Sequence, residues 1–174
     1  EIYKIIEQNQ TIFNHADIED HPRKVERYHT ARQMLTILKS YRITDTKRDR
    51  QKFVFGLYGL ISYNLGLAIK TNIQYMLYIK TLITYGTTPK HQEFIQKALD
   101  LEHLGCFALT ELHHGSYTKG IATEAVYDKK TDSFKITTKG NEGMKFWIGG
   151  SAQIANMAVI WAQLIVDGVS YGPH

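Results

Sequence analysis

Cysteine is nearly absent from this 174-residue chain, which contains only Cys106. A single cysteine excludes an internal disulfide and favours a reducing compartment over secretion. The apolar residues at 107–109 indicate a buried thiol, and no basic partner is evident that would make this thiol a nucleophile. We therefore expect Cys106 to be buried and unreactive.

Long apolar runs are missing as well. The two most apolar stretches, residues 53–69 and 75–85, are interrupted by glycines, Asn64 and Lys80. Neither supplies the ~20 uninterrupted apolar residues that a membrane span needs, so we expect buried helices and no span. Residues 1–7 lack the positive flank and apolar centre of a secretory signal, and no targeting segment is visible.

Neither sign of charge dominates the sequence. The net charge is +4, and basic and acidic residues are interleaved at 23–27 and 47–50, as on solvated helix faces. No recognition motif or one-sided basic stripe accompanies the charge, so nucleic acid is not an expected partner. An apolar fraction of 43% with 22% charged residues is typical of a globular protein and argues against disorder.

The spacing of the apolar residues changes near Leu104. Before this point they recur at helical spacing, and after it short alternating runs are separated by turn residues. The first part predicts a bundle of about four to six helices. The predicted helices cover residues 2–13, 22–38, 52–64, 67–85 and 91–101.

The second part predicts strands. Residues 121–127 and 134–138 form a hairpin around a wider loop, 146–150 form a short strand that ends in a glycine turn, and 156–166 form a long strand before an Asp167-Gly168 turn. Nothing after this turn resembles a closing strand. Because an open β domain would expose unpaired backbone at its edge, we expect a fragment, or strands supplied by another chain.

Two motifs flank the predicted hairpin. Residues 105–116 read GCFALTELHHGS and resemble the Thr-Glu-Leu-x-His-Gly-Ser signature of peroxisomal acyl-CoA oxidases. Residues 145–150 read KFWIGG and resemble the Lys-Trp-Trp-x-Gly-Gly element of the same family. The Thr-x-Ala-x-Tyr-Asp hairpin, at 123–128, lies between them. The resemblance covers residues 86–174 well, whereas the first 85 match only in helical character.

The resemblance implies an α+β fold of the acyl-CoA dehydrogenase type. Residues 1–104 would be the amino-terminal helical domain, and residues 105–174 the incomplete start of an antiparallel, flavin-binding β domain. The implied activity is FAD-dependent α,β-desaturation of fatty acyl-CoA, with electrons passed to oxygen to give hydrogen peroxide. The family also implies a peroxisomal homodimer.

The same resemblance implies five cofactor-binding residues. The hydroxyl of Thr110 would hydrogen-bond the flavin ring, and Trp147 would pack beside that ring. Gly115 and Ser116 would pass the flavin and the thioester end of the substrate, so Ser116 would also bind substrate. Gly149 would stand where the dehydrogenases usually carry a hydroxyl residue that hydrogen-bonds the flavin.

No catalytic base and no metal site are assigned. The family takes its glutamate base from a carboxy-terminal helical domain, so Glu102, Glu111 and Glu124 are expected to be structural or solvent-facing. His113 and His114 are adjacent and point in different directions in a strand or loop, and no carboxylate or cysteine stands at convincing ligand spacing.

Departures from the family pattern keep alternatives open. Tyr117 stands where the oxidases commonly have Asn, and its size leaves the acyl chain length undetermined. Phe146 replaces a second Trp, and Ile148 replaces Pro or Val. The alternative functions are a dehydrogenase that uses an electron-transfer flavoprotein and an inactive relative that acts as a structural subunit. The alternative location is the mitochondrion.

One prediction concerns Gly149. A glycine leaves more room beside the flavin than a hydroxyl residue does, and we predict that this room admits oxygen to the reduced cofactor. The Gly149→Thr variant should then reoxidise more slowly in oxygenated buffer, measured by stopped-flow absorbance. Reoxidation at the wild-type rate would contradict the idea.

Overall fold

A computed structural model describes residues 1–14, 21–41 and 47–174. Its first half is helical, and a long helix from Leu65 to Tyr85 is interrupted in the middle by a π-helical stretch. The helices are α1 (Ile2–Gln8), α2 (Gln10–Phe13), α3 (Arg23–Ser40), α4 (Lys47–Tyr63), α5 (Leu65–Asn72), the π-helical stretch (Ile73–Ile79), α6 (Lys80–Tyr85) and α7 (Pro89–Leu99). The prediction of a helical first half is confirmed. The prediction of solvated side chains at 47–50 lies outside the described side chains.

Short polar side chains set several helix boundaries. Asn64 begins α5, because its Oδ1 accepts a hydrogen bond from the Leu67 amide at 2.9 Å. Thr88 and His91 form a capping box before α7, and Pro89 occupies its first turn. This helix thus begins two residues before the predicted start. The predicted helix over residues 2–13 is divided at Asn9, whose side-chain amide donates to the Ile5 carbonyl at 2.8 Å.

The hydrophobic core lies around the long helix. Leu67 and Tyr78 on this helix are 0% and 2% exposed, and they belong to one buried cluster with Met34 and Ile37 of α3 and Leu60 of α4. Such burial supplies most of the stability of short helices, which are marginal alone in water. Among the described residues, no helix is long and apolar enough to cross a membrane.

The second half forms two small sheets. The first sheet pairs β1 (Gly105–Ala108) with β4 (Met157–Ile160) in parallel, and the second has the strand order β3-β2-β5-β6. In the second sheet β2 pairs antiparallel with β3 and parallel with β5, so the pairing is mixed. The remaining strands are β2 (Thr123–Asp128), β3 (Ser133–Thr138), β5 (Gln163–Val166) and β6 (Val169–Pro173).

The predicted hairpin is confirmed, with Thr123 opposite Thr138 and Asp128 opposite Ser133. The turn at Asp167-Gly168 is confirmed too. Both of its residues have positive φ, 53° and 78°, as a two-residue turn between twisted strands requires.

Three strand predictions are wrong. Residues 146–150 form a turn rather than a strand, and residues 169–173 form the strand β6, where no closing strand was expected. The long strand over 156–166 is two strands in different sheets. The division falls between Trp161 and Ala162. The Trp161 amide donates to the carbonyl of Ala108, the last residue of β1, whereas the Ala162 amide donates to the carbonyl of His174, which follows β6.

The long helix is attached to β1 by one buried side chain. Gln74 is 2% exposed, its Oε1 accepts from the Gly105 amide at 2.8 Å, and its Nε2 donates to the His103 carbonyl at 2.9 Å. Next to this contact, the ring of Tyr78 covers Gly105 so closely that a Cβ there would lie 1.9 Å from Tyr78 Cγ. A glycine is therefore required where β1 crosses the helix.

Replacing this glycine should destabilise the fold. We expect Gly105→Ala to lower the free energy of unfolding by about 2 kcal/mol or more, because the ring or the strand must shift. The matched control is Gly59→Ala in α4, where a Cβ meets only ordinary contacts at 3.7 Å from Ile2. This control should raise stability by up to about 1 kcal/mol. Urea denaturation followed by circular dichroism measures both, and equal effects would refute the packing argument.

Candidate functional site

The two motif segments lie side by side after β1 and before β4. The Phe146 amide donates to the Thr110 carbonyl at 3.0 Å, and the Leu112 amide donates to the Met144 carbonyl at 2.9 Å. Between these bonds Glu111 forms a bridge with Lys145. Residues about 35 positions apart in sequence thus form one continuous surface.

The buried carboxylate of Glu111 connects the two motif segments to each other and to the start of β2. Its side chain is 0% exposed, and it accepts hydrogen bonds from the Ala122 amide (2.7 Å), the Thr123 amide (3.0 Å) and the Thr123 hydroxyl (2.7 Å). The Lys145 ammonium lies 3.1 Å away. Burial alone would raise the pKa of this carboxyl, but the hydrogen bonds from Ala122, Thr123 and Lys145 outweigh it and lower the pKa to about 2.

Lys145 extends the connection to both sheets. Its Nζ donates to the Leu109 carbonyl after β1 at 3.2 Å, to the Trp161 carbonyl between β4 and β5 at 2.7 Å, and to Glu111. An ammonium group has three protons, so these partners use its full donor capacity. We call Glu111, Thr123 and Lys145 the Glu111 network.

The loop after Glu111 is closed by a histidine. His114 Nε2 donates to the Gly120 carbonyl at 2.7 Å and lies 3.8 Å from Glu111 Oε2. Tyr117 stands edge-on to the His114 ring at 5.9 Å and covers Gly120, where a Cβ would lie 2.4 Å from its ring. Tyr117 thus packs one part of its ring against its own loop, while 66% of the residue stays exposed.

Three of the predicted site residues lie on this first segment. Thr110 is half-buried, and Gly115 and Ser116 are exposed. A Cβ on Gly115 would stand 3.9 Å from Thr110 Cγ2, so the predicted flavin donor and the glycine turn are neighbours. The backbone at Gly115 is open to an incoming ligand.

Trp147 lies on the second segment and is 84% exposed, although a strand tryptophan would by default be buried. Its φ is +59°, a left-handed conformation that costs a bulky residue free energy and that favours a functional explanation. Its ring meets Phe146 edge-on at 5.5 Å. Leu112 and Met144 are also about half exposed. We call Leu112, Met144, Phe146 and Trp147 the motif patch.

Gly149 follows on the same turn and is exposed, but the space beside it is occupied. A Cβ on Gly149 would stand 2.5 Å from Ile73 Cδ1, at the start of the π-helical stretch. A side chain from the helical half therefore fills the space that a Cβ at residue 149 would enter. The expected room for oxygen beside the flavin stays a prediction. Nothing in the local sequence indicated Ile73, since the two residues lie in different halves of the chain.

The remaining candidates are placed as follows. Glu124 pairs with Lys139 at 3.0 Å on the surface, and Glu102 is exposed. His113 and His114 present their rings at an interplanar angle of 76°. Among the described residues, no group of three or more His, Cys, Asp or Glu could hold a metal ion. Cys106 is 4% exposed, and burial raises the pKa of its thiol.

An apolar groove of about 630 Å³ lies elsewhere, between α6, α7 and the strands β4 and β6. Tyr85 and Trp161 meet edge-on at 5.8 Å in its wall. The predicted cofactor residues do not line this groove.

Comparison with known proteins identifies the class to which this arrangement belongs. No protein-family model matches the chain. Among solved structures, acyl-CoA oxidase 3 of Yarrowia lipolytica superposes with a TM-score of 0.84 at 27% identity, over 99% of this chain and 25% of that one. Acyl-CoA oxidase 1 of the same organism gives 0.80 at 28% identity, over 98% and 26%. The predicted fold class, acyl-CoA dehydrogenase-like, is confirmed.

Curated relatives agree on the family. Peroxisomal acyl-coenzyme A oxidase 3 of Arabidopsis thaliana is 36% identical over 112 residues, which is 64% of this chain and 17% of that protein. Peroxisomal acyl-coenzyme A oxidase 1 of Phascolarctos cinereus is 31% identical over 167 residues, 95% of this chain and 24% of that protein. The resemblance to the acyl-CoA oxidases is thus confirmed, and the chain spans about a quarter or less of the relatives it matches.

The Glu111 network should make stability depend on pH. The folded pKa of Glu111, about 2, lies below the ordinary value of 4.5. Its stabilisation, roughly 3 kcal/mol, is therefore complete above the ordinary pKa and is lost as the pH falls through 4.5 towards 2. Denaturant unfolding measured across this window should show the loss.

Two variants separate this contribution from the general effect of acid. Glu111→Gln removes the titrating group and should flatten the pH dependence while lowering stability at neutral pH. Glu124→Gln removes a surface carboxylate whose ion pair contributes little, and it should leave the wild-type profile in place. A Glu111→Gln profile as steep as that of the wild type would contradict the assignment.

Proposed function

We propose that this chain is the flavin-contacting part of a peroxisomal acyl-CoA oxidase, which desaturates fatty acyl-CoA and passes the electrons to oxygen. The observation that carries the proposal is the joining of the two family motifs into one surface, with the Thr110 segment beside the exposed Trp147. The curated relatives named above are peroxisomal oxidases. Residues 1–104 then form a helical domain, and residues 105–174 the start of the flavin-binding domain.

The motif patch fits a flat aromatic cofactor. Relatives of the same fold from Caenorhabditis elegans have been crystallised with FAD and ATP, and with FAD, ascaroside-CoA and ATP. An exposed indole in a strained backbone offers a planar apolar face, and such exposed patches mark binding sites. When bound there, FAD would supply the hydride acceptor and the route of electrons to oxygen.

Each predicted residue has a distinct task in this proposal. The Thr110 hydroxyl donates a hydrogen bond to the cofactor ring, and Trp147 packs against that ring and excludes water from it. Gly115 lets the backbone approach closely, and Ser116 donates to the cofactor and to the thioester end of the acyl-CoA. Gly149 lets the chain turn past the ring without a side chain of its own.

No carboxylate described above suits the removal of the α proton. Glu111 has a pKa of about 2 and is surrounded by its hydrogen-bond donors, so it is a weak and inaccessible base. In the proposed enzyme the base comes from the part of the relatives that this chain does not cover. We also propose a homodimer as the working assembly.

The experiment compares cofactor content and products. The protein that carries this chain should show a flavin absorption band, and with fatty acyl-CoA it should release hydrogen peroxide faster than it reduces an artificial electron acceptor. Thr110→Val should weaken FAD binding about fivefold, the effect of one lost hydrogen bond. Thr137→Val on β3 is the matched control and should bind FAD as the wild type does.

The outcomes separate the alternatives. Preferential reduction of the artificial acceptor would favour a dehydrogenase that uses an electron-transfer flavoprotein. Absence of a flavin band in the intact protein would refute the enzyme proposal and favour a structural subunit. Equal FAD affinities for Thr110→Val and Thr137→Val would remove Thr110 from the site.

A further inference from the structure

The side chain of Ile73 packs into the space left by the missing side chain of Gly149. Ile73 is half-buried on the long helix, and its Cδ1 stands 2.5 Å from where a Cβ on Gly149 would lie. The next atom of Ile73, Cγ1, is 3.7 Å from the same point, which is an ordinary contact distance. A side chain at residue 149 would therefore require one methyl group, Cδ1 of Ile73, to move.

The backbone at residue 149 does not itself require glycine. Gly150 has a φ of +84°, in the left-handed region that disfavours side chains, whereas Gly149 is not among the glycines with positive φ. Space alone restricts residue 149, while conformation restricts its neighbour. The two adjacent glycines therefore have different reasons for being there.

The helix cannot easily move away from this contact. Gln74, the residue after Ile73, is buried and hydrogen-bonded to the Gly105 amide and the His103 carbonyl. A cavity of only about 20 Å³ remains beside Ile73 and Gly150, roughly the room of one water molecule. The backbone of Ile73 is thus held in place next to the side chain that attaches the helix to β1.

We propose that Ile73 is a positioning residue of the cofactor site. Its Cδ1 takes the place of the side chain that Gly149 lacks and so sets the distance between the helical half and the turn at residues 147–150. This distance in turn fixes where the exposed indole of Trp147 stands. The inference rests on the proposed function, because it assigns Ile73 a part in holding the same flavin.

The test exchanges one methyl group across the contact. Gly149→Ala should weaken FAD binding about tenfold, because overpacking displaces the turn. Ile73→Val removes Cδ1 alone, so the double variant Ile73→Val/Gly149→Ala should bind FAD to within about twofold of the wild type, since volume is conserved. FAD affinity is measured by titration of the apoprotein, and the visible circular dichroism of the bound flavin reports its orientation.

Gly150→Ala provides the matched control. Its defect comes from backbone conformation, so Ile73→Val should not restore FAD binding to it. Three results would overturn the inference: wild-type affinity in Gly149→Ala, a double variant no better than Gly149→Ala, or equal rescue of Gly150→Ala. Failure of the wild type to bind FAD would instead refute the proposed function, which distinguishes the two.

Discussion

The ionised carboxylate of Glu111 is the interaction on which the arrangement of the site depends. Four hydrogen-bond donors from Ala122, Thr123 and Lys145 converge on this buried group. All of them lie outside residues 105–116, the segment that contains Glu111. Removing a charge partner here would leave an ion without compensation in a dry environment, which is among the most destabilising changes a protein can suffer. The network therefore holds the segments of Thr110 and Trp147 side by side.

A second constraint comes from the helical half. Gln74 satisfies the first amide of β1, and Tyr78 presses on Gly105, so the long helix and the first strand behave as one unit. Ile73 belongs to the same turn of helix and reaches the Gly149 turn. The surface proposed to bind the cofactor is thus supported from two directions, by an ion pair beneath the β segments and by apolar contact from the helices.

Sequence patterns predicted the features that depend on neighbouring residues. The helices followed from apolar spacing, the hairpin from alternation around a polar turn, and the site candidates from two motifs read in sequence. The break at Trp161 was missed because residues 157–162 and 164–166 are apolar and contain no turn residue. Only the bonds of Trp161 to Ala108 and of Ala162 to His174 reveal that the chain changes sheets. The turn at 147–150 was taken for a strand because Trp and Ile favour strands, whereas the left-handed φ of Trp147 ends one.

The role proposed for Ile73 could not be predicted from the sequence for a similar reason. A half-buried isoleucine on a helix is ordinary, and its meaning comes only from the residue that faces it. The carboxylate of Glu111 gave a partial signal, because it stands within the first motif and Lys145 begins the second. Their pairing could have been anticipated from the need of a buried charge for a partner.

The parallel pairing of β1 with β4 has a consequence for biosynthesis. Leu104, just before β1, is hydrogen-bonded to Asn156, 52 positions further along the chain. The helices and the β2–β3 hairpin can assemble from neighbouring residues as they emerge from the ribosome, but β1 must wait for a partner that is translated much later. During that interval the edge of β1 has no strand partner, and its backbone groups are open to pairing with other chains.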